Sequence, residues 1–277
     1  MKNTLEKAKA NFEKGNELKE HGNVEESIQS YQEAIAIKPD YTQPLSKLAE
    51  IYEERQEWAE AVKCYRRMIG LRPETAYLYI KMAKALKNQN KIYGAIAAYQ
   101  EAIELNRDVS ATVYKHLGDL LLQEKNSTAE ALVAYQKATQ LKDDWWAGFY
   151  TDVAKLLIEE NQINEAISYC QKSLELNPEV ARSYFYLGNA LLHKEDLDRA
   201  VSCYQKAISL NPDFTVAYKK LGDVLVKKED LDMALRCYQK ALEINPEAVY
   251  IYRFLGDVFA KQGREAEAQS CYQKANS

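Results

Sequence analysis

Apolar positions along this chain recur at helical spacing, and the whole pattern then recurs with a longer period. In "YFYLGNALLHKEDLDRAVSCYQKAISLNP" (184–212) they fall into two helix-periodic segments, from about Ser183 to Lys194 and from about Leu197 to Leu210. A polar turn separates the two. Displaced by 34 residues, the pattern returns as "YKKLGDVLVKKEDLDMALRCYQKALEINP" (218–246). Carried in both directions, this register follows a leader of residues 1–7 and gives eight units: 8–41, 42–75, 76–110, 111–146, 147–180, 181–214, 215–248 and 249–277. Extra residues fall at the turn "QEKNSTAE" (123–130) and near "LKDDWWAGFY" (141–150).

Prolines mark the joints. Pro39, Pro73, Pro178, Pro212 and Pro246 stand just after a second segment, where the missing N–H and the restraint on the preceding residue stop a helix. Pro44 stands near the start of a first segment, where proline is tolerated. Two positions per unit are small. The first holds Gly15, Ala49, Ala83, Gly118, Ala154, Gly188, Gly222 and Gly256; the second holds Ser27, Ala61, Ala95, Ala131, Ala166, Ala200, Ala234 and Ala268. Small side chains let helix axes approach to about 8–10 Å. Tyrosines such as Tyr184 and Tyr218 in first segments, and Tyr204 and Tyr238 in second segments, then fill the remaining space. The pattern predicts an all-α array of helical hairpins.

The aromatic, the Leu-Gly, and then Ala, Tyr, Ala and Pro at a 34-residue period resemble the tetratricopeptide repeat, over residues 8–277 as a single solenoid. The resemblance implies an α-solenoid of helix-turn-helix repeats wound into a right-handed superhelix, with first helices lining a concave groove. Copies three to five depart from it: Arg107 and Asp143 replace proline, and Cys170 and Ser173 replace the usual Tyr and Ala. A change of superhelix pitch is therefore expected around 105–150. In the last copy Gln269 and Asn276 occupy positions that are apolar in most inner copies, which reads as a polar end cap.

Composition narrows the function. A net charge of −4 and a pI near 5.6 give no bulk positive field for nucleic acid. No apolar run approaches the roughly 20 residues of a membrane span, and "MKNTLEKAKANFEKGNELKE" lacks the apolar core of a secretory signal. A soluble, cytoplasmic protein is expected. Cys64, Cys203, Cys237 and Cys271 share one repeat position and Cys170 lies one place later. Copies are too far apart for disulfides, so these read as small apolar filler. No two glycines form GxG, and neither GxSxG nor HExxH occurs, so no cofactor, no metal and no enzymatic activity is expected. His21, His116 and His193 are scattered and read as solvated. The sequon "NST" (126–128) reads as coincidental. Asp119, Asp223 and Asp257 recur in "LGD", each four residues after Lys115, Lys219 or Arg253, and are expected to be neutralised by those i,i+4 partners.

The remaining candidate is the groove that the resemblance implies. Its matching positions are Lys47, Lys81, Lys84, Lys87, Lys115 and His116 in copies two to four, and Arg182, Phe185, Tyr186, Asn189, Lys220, Tyr250, Arg253 and Phe254 in copies six to eight. The N-terminal half would be basic and the C-terminal half aromatic. Phe185, Tyr186, Tyr250 and Phe254 look surplus to packing, because the template's buried aromatics lie elsewhere. Trp145 and Trp146 would either anchor a partner or plug an irregular joint. The expectation is a scaffold for a protein or peptide ligand with acidic or aromatic character. The carboxylate clamp of one chaperone-binding subclass is largely missing: Asn16 matches, but Phe12, Lys47, Tyr77 and Lys81 stand at its other positions. Two other readings are a regulatory or targeting segment of a larger enzyme, such as a transferase, and a self-assembling homo-oligomer.

Overall fold

The computed structural model describes residues 2–124 and 128–276. Among them the backbone is helical and turn, without strands. The helices pair in chain order: α1 (Lys2–Glu20) with α2 (Val24–Ile37), α3 (Thr42–Glu54) with α4 (Trp58–Leu71), α5 (Ala76–Asn88) with α6 (Ile92–Leu105), and α7 (Ala111–Gln123) with α8 (Thr128–Leu141). Then follow α9 (Ala147–Glu159) with α10 (Ile163–Leu176), α11 (Ala181–His193) with α12 (Leu197–Leu210), α13 (Thr215–Lys227) with α14 (Leu231–Ile244), and α15 (Ile251–Lys261) with α16 (Glu265–Ala275). Residues 2–7 are part of α1. The chain forms two compact units, 1–141 and 142–277, and the division falls inside the irregular stretch 105–150. Each unit is a stack of hairpins, an all-α solenoid. The sequon's Asn126 and Ser127 lie outside the described residues.

The joints follow from local chemistry. Before each joint proline, Lys38, Arg72, Asn177, Asn211 and Asn245 take extended φ between −130° and −150°, as the proline ring demands. The asparagines also fold an Asx turn: Oδ1 of Asn177 accepts the Glu179 amide at 2.9 Å. Where Arg107 replaces proline, Asn106 keeps the same geometry, with φ −147° and its Oδ1 accepting from the Asp108 amide at 3.0 Å. Asparagine alone is sufficient to turn the chain there. In the seven hairpins whose turns are fully described, the turn holds a left-handed residue. Gly22 and Gly263 meet this at no steric cost, whereas Gln56, Asn90, Asn161, Glu195 and Glu229 hold φ between +58° and +64°.

Packing rests on the two small positions. Ala61, Ala95, Ala131, Ala166, Ala200 and Ala234 are fully buried. Ser27, in the same place, donates to the Gly15 carbonyl at 2.7 Å. All five cysteines are free. Burial pushes the thiols of Cys64 and Cys237 up to about 11 and that of Cys170 up to about 12, so these are inert filler. One polar cluster interrupts the core of the second unit. Thr151, Ser173 and Ser183, all fully buried, form a triangle of hydroxyls with edges of 2.9, 2.6 and 2.7 Å. The Ala147 carbonyl lies 2.8 Å from the Ser173 hydroxyl and 3.1 Å from that of Thr151, so the three hydroxyl hydrogens can run from Thr151 to Ser183 to Ser173 to that carbonyl and leave each group with a partner.

The left-handed turns yield a stability test. Glu229→Gly should raise unfolding free energy by about 0.5–1 kcal/mol in a denaturant titration, since relief of the αL strain exceeds the added chain entropy. A loss of stability would mean that the Glu229 side chain holds the turn.

Candidate functional site

The groove face is built by a unit of three residues. In five copies a first-helix glycine is followed by Asn or Asp, and a second-helix tyrosine lies across the glycine. The Tyr31 hydroxyl donates to Asn16 at 2.8 Å, Tyr135 to Asp119 at 3.0 Å, Tyr204 to Asn189 at 2.7 Å, Tyr238 to Asp223 at 2.9 Å and Tyr272 to Asp257 at 2.9 Å. A Cβ on any of these glycines would sit 2.5–2.8 Å from the tyrosine ring. The "LGD" aspartates are therefore phenol acceptors first. Asp119 and Asp223 are also neutralised as expected, by Lys115 and Lys219 at 2.7 Å each. Asp257 departs from the expectation: no ion pair joins it to the exposed Arg253 among the described residues, and its carboxylate is held by Tyr272.

In the first unit a concavity of about 530 Å³ is lined by Asn16, Lys19, Glu20, Tyr31 and Lys47. Acids meet half of the predicted basic wall. Lys47 pairs with Glu50 at 3.0 Å and Lys81 with Glu53 at 2.8 Å, and Glu53 also accepts the Tyr65 hydroxyl at 2.8 Å. Lys84 and Lys87 are exposed and make no ion pair among the described residues. His116 is half-buried rather than solvated, its ring 6.1 Å from that of Tyr99. Burial lowers its pKa, Lys87, Lys115 and Lys84 lower it further, and Asp119 opposes them. A cationic surface of Lys84 and Lys87 beside a neutral imidazole thus remains available.

In the second unit the same repeat positions enclose about 510 Å³ with different side chains. Phe254 lies half-buried in this concavity, stacked on Tyr238 at 5.8 Å, with the Lys219 ammonium 3.8 Å from its ring centroid. Lys227 and Lys261 stand at the rim and Asp257 at the wall. Tyr186 is half-buried under the Arg182 guanidinium, 5.9 Å from its centroid, while Arg182 pairs with Asp152 at 2.8 Å. Asn189 is committed to Tyr204. Lys220 is half-buried and Tyr250 half-exposed at the N-cap of α15. Phe185 corrects the expectation of an exposed aromatic: it is buried against Phe214 at 5.0 Å and Tyr204 at 6.0 Å, because Phe214 of the next joint covers it. Of the tryptophans, Trp145 is buried against Phe149 and Trp146 is 57% exposed.

Sequence reasoning missed Lys219 as the lid of Phe254 and Glu53 as the partner of Lys81. Both pairs cross between copies, 35 and 28 residues apart, and only the repeat register, not helical spacing, reveals them.

Models of the tetratricopeptide repeat match residues 44–76, 80–144, 147–180 and 181–214, and one described as TPR repeat matches 15–56 and 222–263. The chain belongs to the tetratricopeptide repeat family. No curated protein matches this tetratricopeptide repeat chain. Among solved structures, MamA is 27% identical over 57% of this chain and 92% of its own, with a TM-score of 0.53. YrrB, described as "a TPR protein with an unusual peptide-binding site", is 26% identical over 69% of this chain and 97% of its own, with a TM-score of 0.58. The C-terminal part of a TPR repeat-containing protein from Cytophaga hutchinsonii is 14% identical over 83% and 93%, with a TM-score of 0.61, a likeness of fold alone. No described helix of this tetratricopeptide repeat protein is long and apolar enough to cross a membrane.

The depressed His116 pKa sets a pH dependence. The unfolded chain takes up this proton near 6.5 and the folded protein only at lower pH. Stability is therefore lost as pH falls below about 6.5. NMR titration should give a His116 pKa below 6.5 that Lys87→Gln raises, and His116→Gln should flatten stability between about pH 6.5 and 5.5. A His116 pKa at or above the ordinary value would refute the buried, lysine-flanked placement.

Proposed function

We propose that this protein is a protein-interaction scaffold that holds a partner's peptide segment along its first-helix faces. Membership of the tetratricopeptide repeat family supports the scaffold role, and the peptide-binding site ascribed to YrrB supports a peptide as ligand. In the first unit the ligand would present acidic side chains to Lys84 and Lys87 beside His116. In the second it would place an aromatic or aliphatic side chain against Phe254.

The observation that carries this reading is Phe254. A large ring left half-buried in a concavity of about 510 Å³, with Lys227, Lys261, Asp223 and Asp257 around it, has no packing role that requires the opening. Aromatic anchors in desolvated pockets dominate binding energies in interfaces, and a cationic surface selects acidic ligands.

The test is a display selection of random 12-residue peptides against the whole protein, with affinities of the winners measured by anisotropy. Micromolar peptides, about −8 kcal/mol, are expected. Phe254→Ala should weaken them about tenfold at a temperature where the melting curve shows the variant still folded. Lys84→Glu with Lys87→Glu should remove the acidic winners, and raising salt from about 0.05 to 0.5 M should weaken those same peptides. Winners indifferent to both variants would remove the first-helix faces as the binding surface.

A further inference from the structure

On the opposite side of the first unit, the second helices α6 and α8 form the walls of a cleft of about 640 Å³. Its floor is Tyr114, Leu117 and Leu121, and Ile103 and Val133 line its sides. The same repeat positions form a smaller cleft of about 380 Å³ between α2 and α4, where Tyr52 occupies the place of Leu121 and Lys63 that of Val133. The floor exchanges Leu45 and Tyr52 for Tyr114 and Leu121, and valine for lysine makes the wall apolar. Val133 is 66% exposed. At its repeat position the other copies carry Gln29, Lys63, Ala97, Ser168, Ser202, Arg236 and Ser270, so a branched aliphatic residue is peculiar to the fourth copy.

The charged residues lining the cleft are Glu104, Glu130 and Lys137, two acids and one base. The charged residues of α6 are Glu101 and Glu104, both acids. Glu104 and Glu130 flank the cleft and, like Lys137, make no ion pair among the described residues. The outer face of these copies is thus apolar and acidic, whereas their first-helix face carries Lys84 and Lys87.

We infer that the α6–α8 cleft is a second binding surface, which docks an amphipathic helix of a partner protein through an aliphatic row flanked by Lys or Arg. A helix fits better than an extended segment. The walls are helices whose backbone groups bond internally, so they offer nothing to the N–H and C=O groups of an extended strand, while a helix brings its own already satisfied. A row at i, i+3 or i+4, and i+7 can fill the cleft between Ile103 and Val133. Basic flanks complement Glu104 and Glu130, and an acidic flank would meet like charge.

The experiment uses the whole protein and two synthetic 16-residue helical peptides with one shared leucine face, one flanked by lysine and the other by glutamate. Methyl NMR and anisotropy report site and affinity. The lysine peptide should bind in the tens of micromolar and shift the methyls of Ile103, Leu117, Leu121 and Val133. Val133→Lys should weaken it at least tenfold. Glu104→Gln with Glu130→Gln should weaken it about threefold and flatten its salt dependence, while Lys84→Glu with Lys87→Glu leaves it unchanged. Equal binding of both peptides, or shifts confined to the first-helix face, would overturn the proposal. So would self-association abolished by Val133→Lys, which would assign the cleft to a second copy. Because Val133 is exposed, its variant should melt like the parent, and a lowered melt would be replaced by Val133→Ser under the same criteria.

Discussion

The close approach of a tyrosine ring to a glycine is the contact on which the rest of the molecule depends. In five hairpins the first helix meets its second helix where no Cβ stands between backbone and ring. Tyr31 and Tyr204 are fully buried there and Tyr238 nearly so. The same approach carries the phenol to the residue after the glycine, which is Asn or Asp in all five such copies. One ring thereby fixes the hairpin and holds a polar group on the groove face. Ala49, Ala83 and Ala154 hold a Cβ at that place, and the following residues are Glu50, Lys84 and Lys155 instead. The Tyr65 phenol then goes to Glu53, and that of Tyr99 faces His116 at 3.5 Å. The exposed Lys84 occupies a position that in the five glycine copies serves a phenol. The electrostatics of the groove is thus a by-product of which copies carry glycine.

The hairpins were legible because the 34-residue register aligns eight samples of one solution, so that noise in any copy is averaged by the others. Copy-specific chemistry gains nothing from that averaging. Phe185 read as surplus because the template places its aromatics elsewhere, but Phe214, at the next joint, covers it. The lysines read as a continuous basic wall because i,i+4 reasoning sees acids on the same helix alone. Glu53, which neutralises Lys81, lies one copy earlier. Asp257 was assigned to Arg253 by spacing, yet a phenol from the following helix holds it. In each case the deciding partner lies on another helix.

The two faces of the first unit are specialised by substitutions of opposite kinds. On the first-helix face charge is kept and partly paired, so its surface is polar and tunable by salt. On the other face charge is withdrawn at Val133 and Gly94, and apolar surface is exposed where most copies are polar. Repeat architecture makes this cheap: Lys84, Lys87 and Val133 lie outside the glycine–tyrosine contact, so side chains there change without disturbing the stack.

The buried hydroxyl triangle limits how freely such an array can be recombined. Most joints bring apolar surface to apolar surface, so a 34-residue unit could be lost or duplicated there with little mismatch. The joint between the fifth and sixth copies differs. Excision of 147–180 would bring Ser183 against the equivalents of its partners in the fourth copy, Lys115 and Ala138, in place of Thr151 and Ser173. Its buried hydroxyl would lose both of its companions. These three residues bind two copies into one heritable piece: gene rearrangement can shuffle its neighbours, but must carry this pair together.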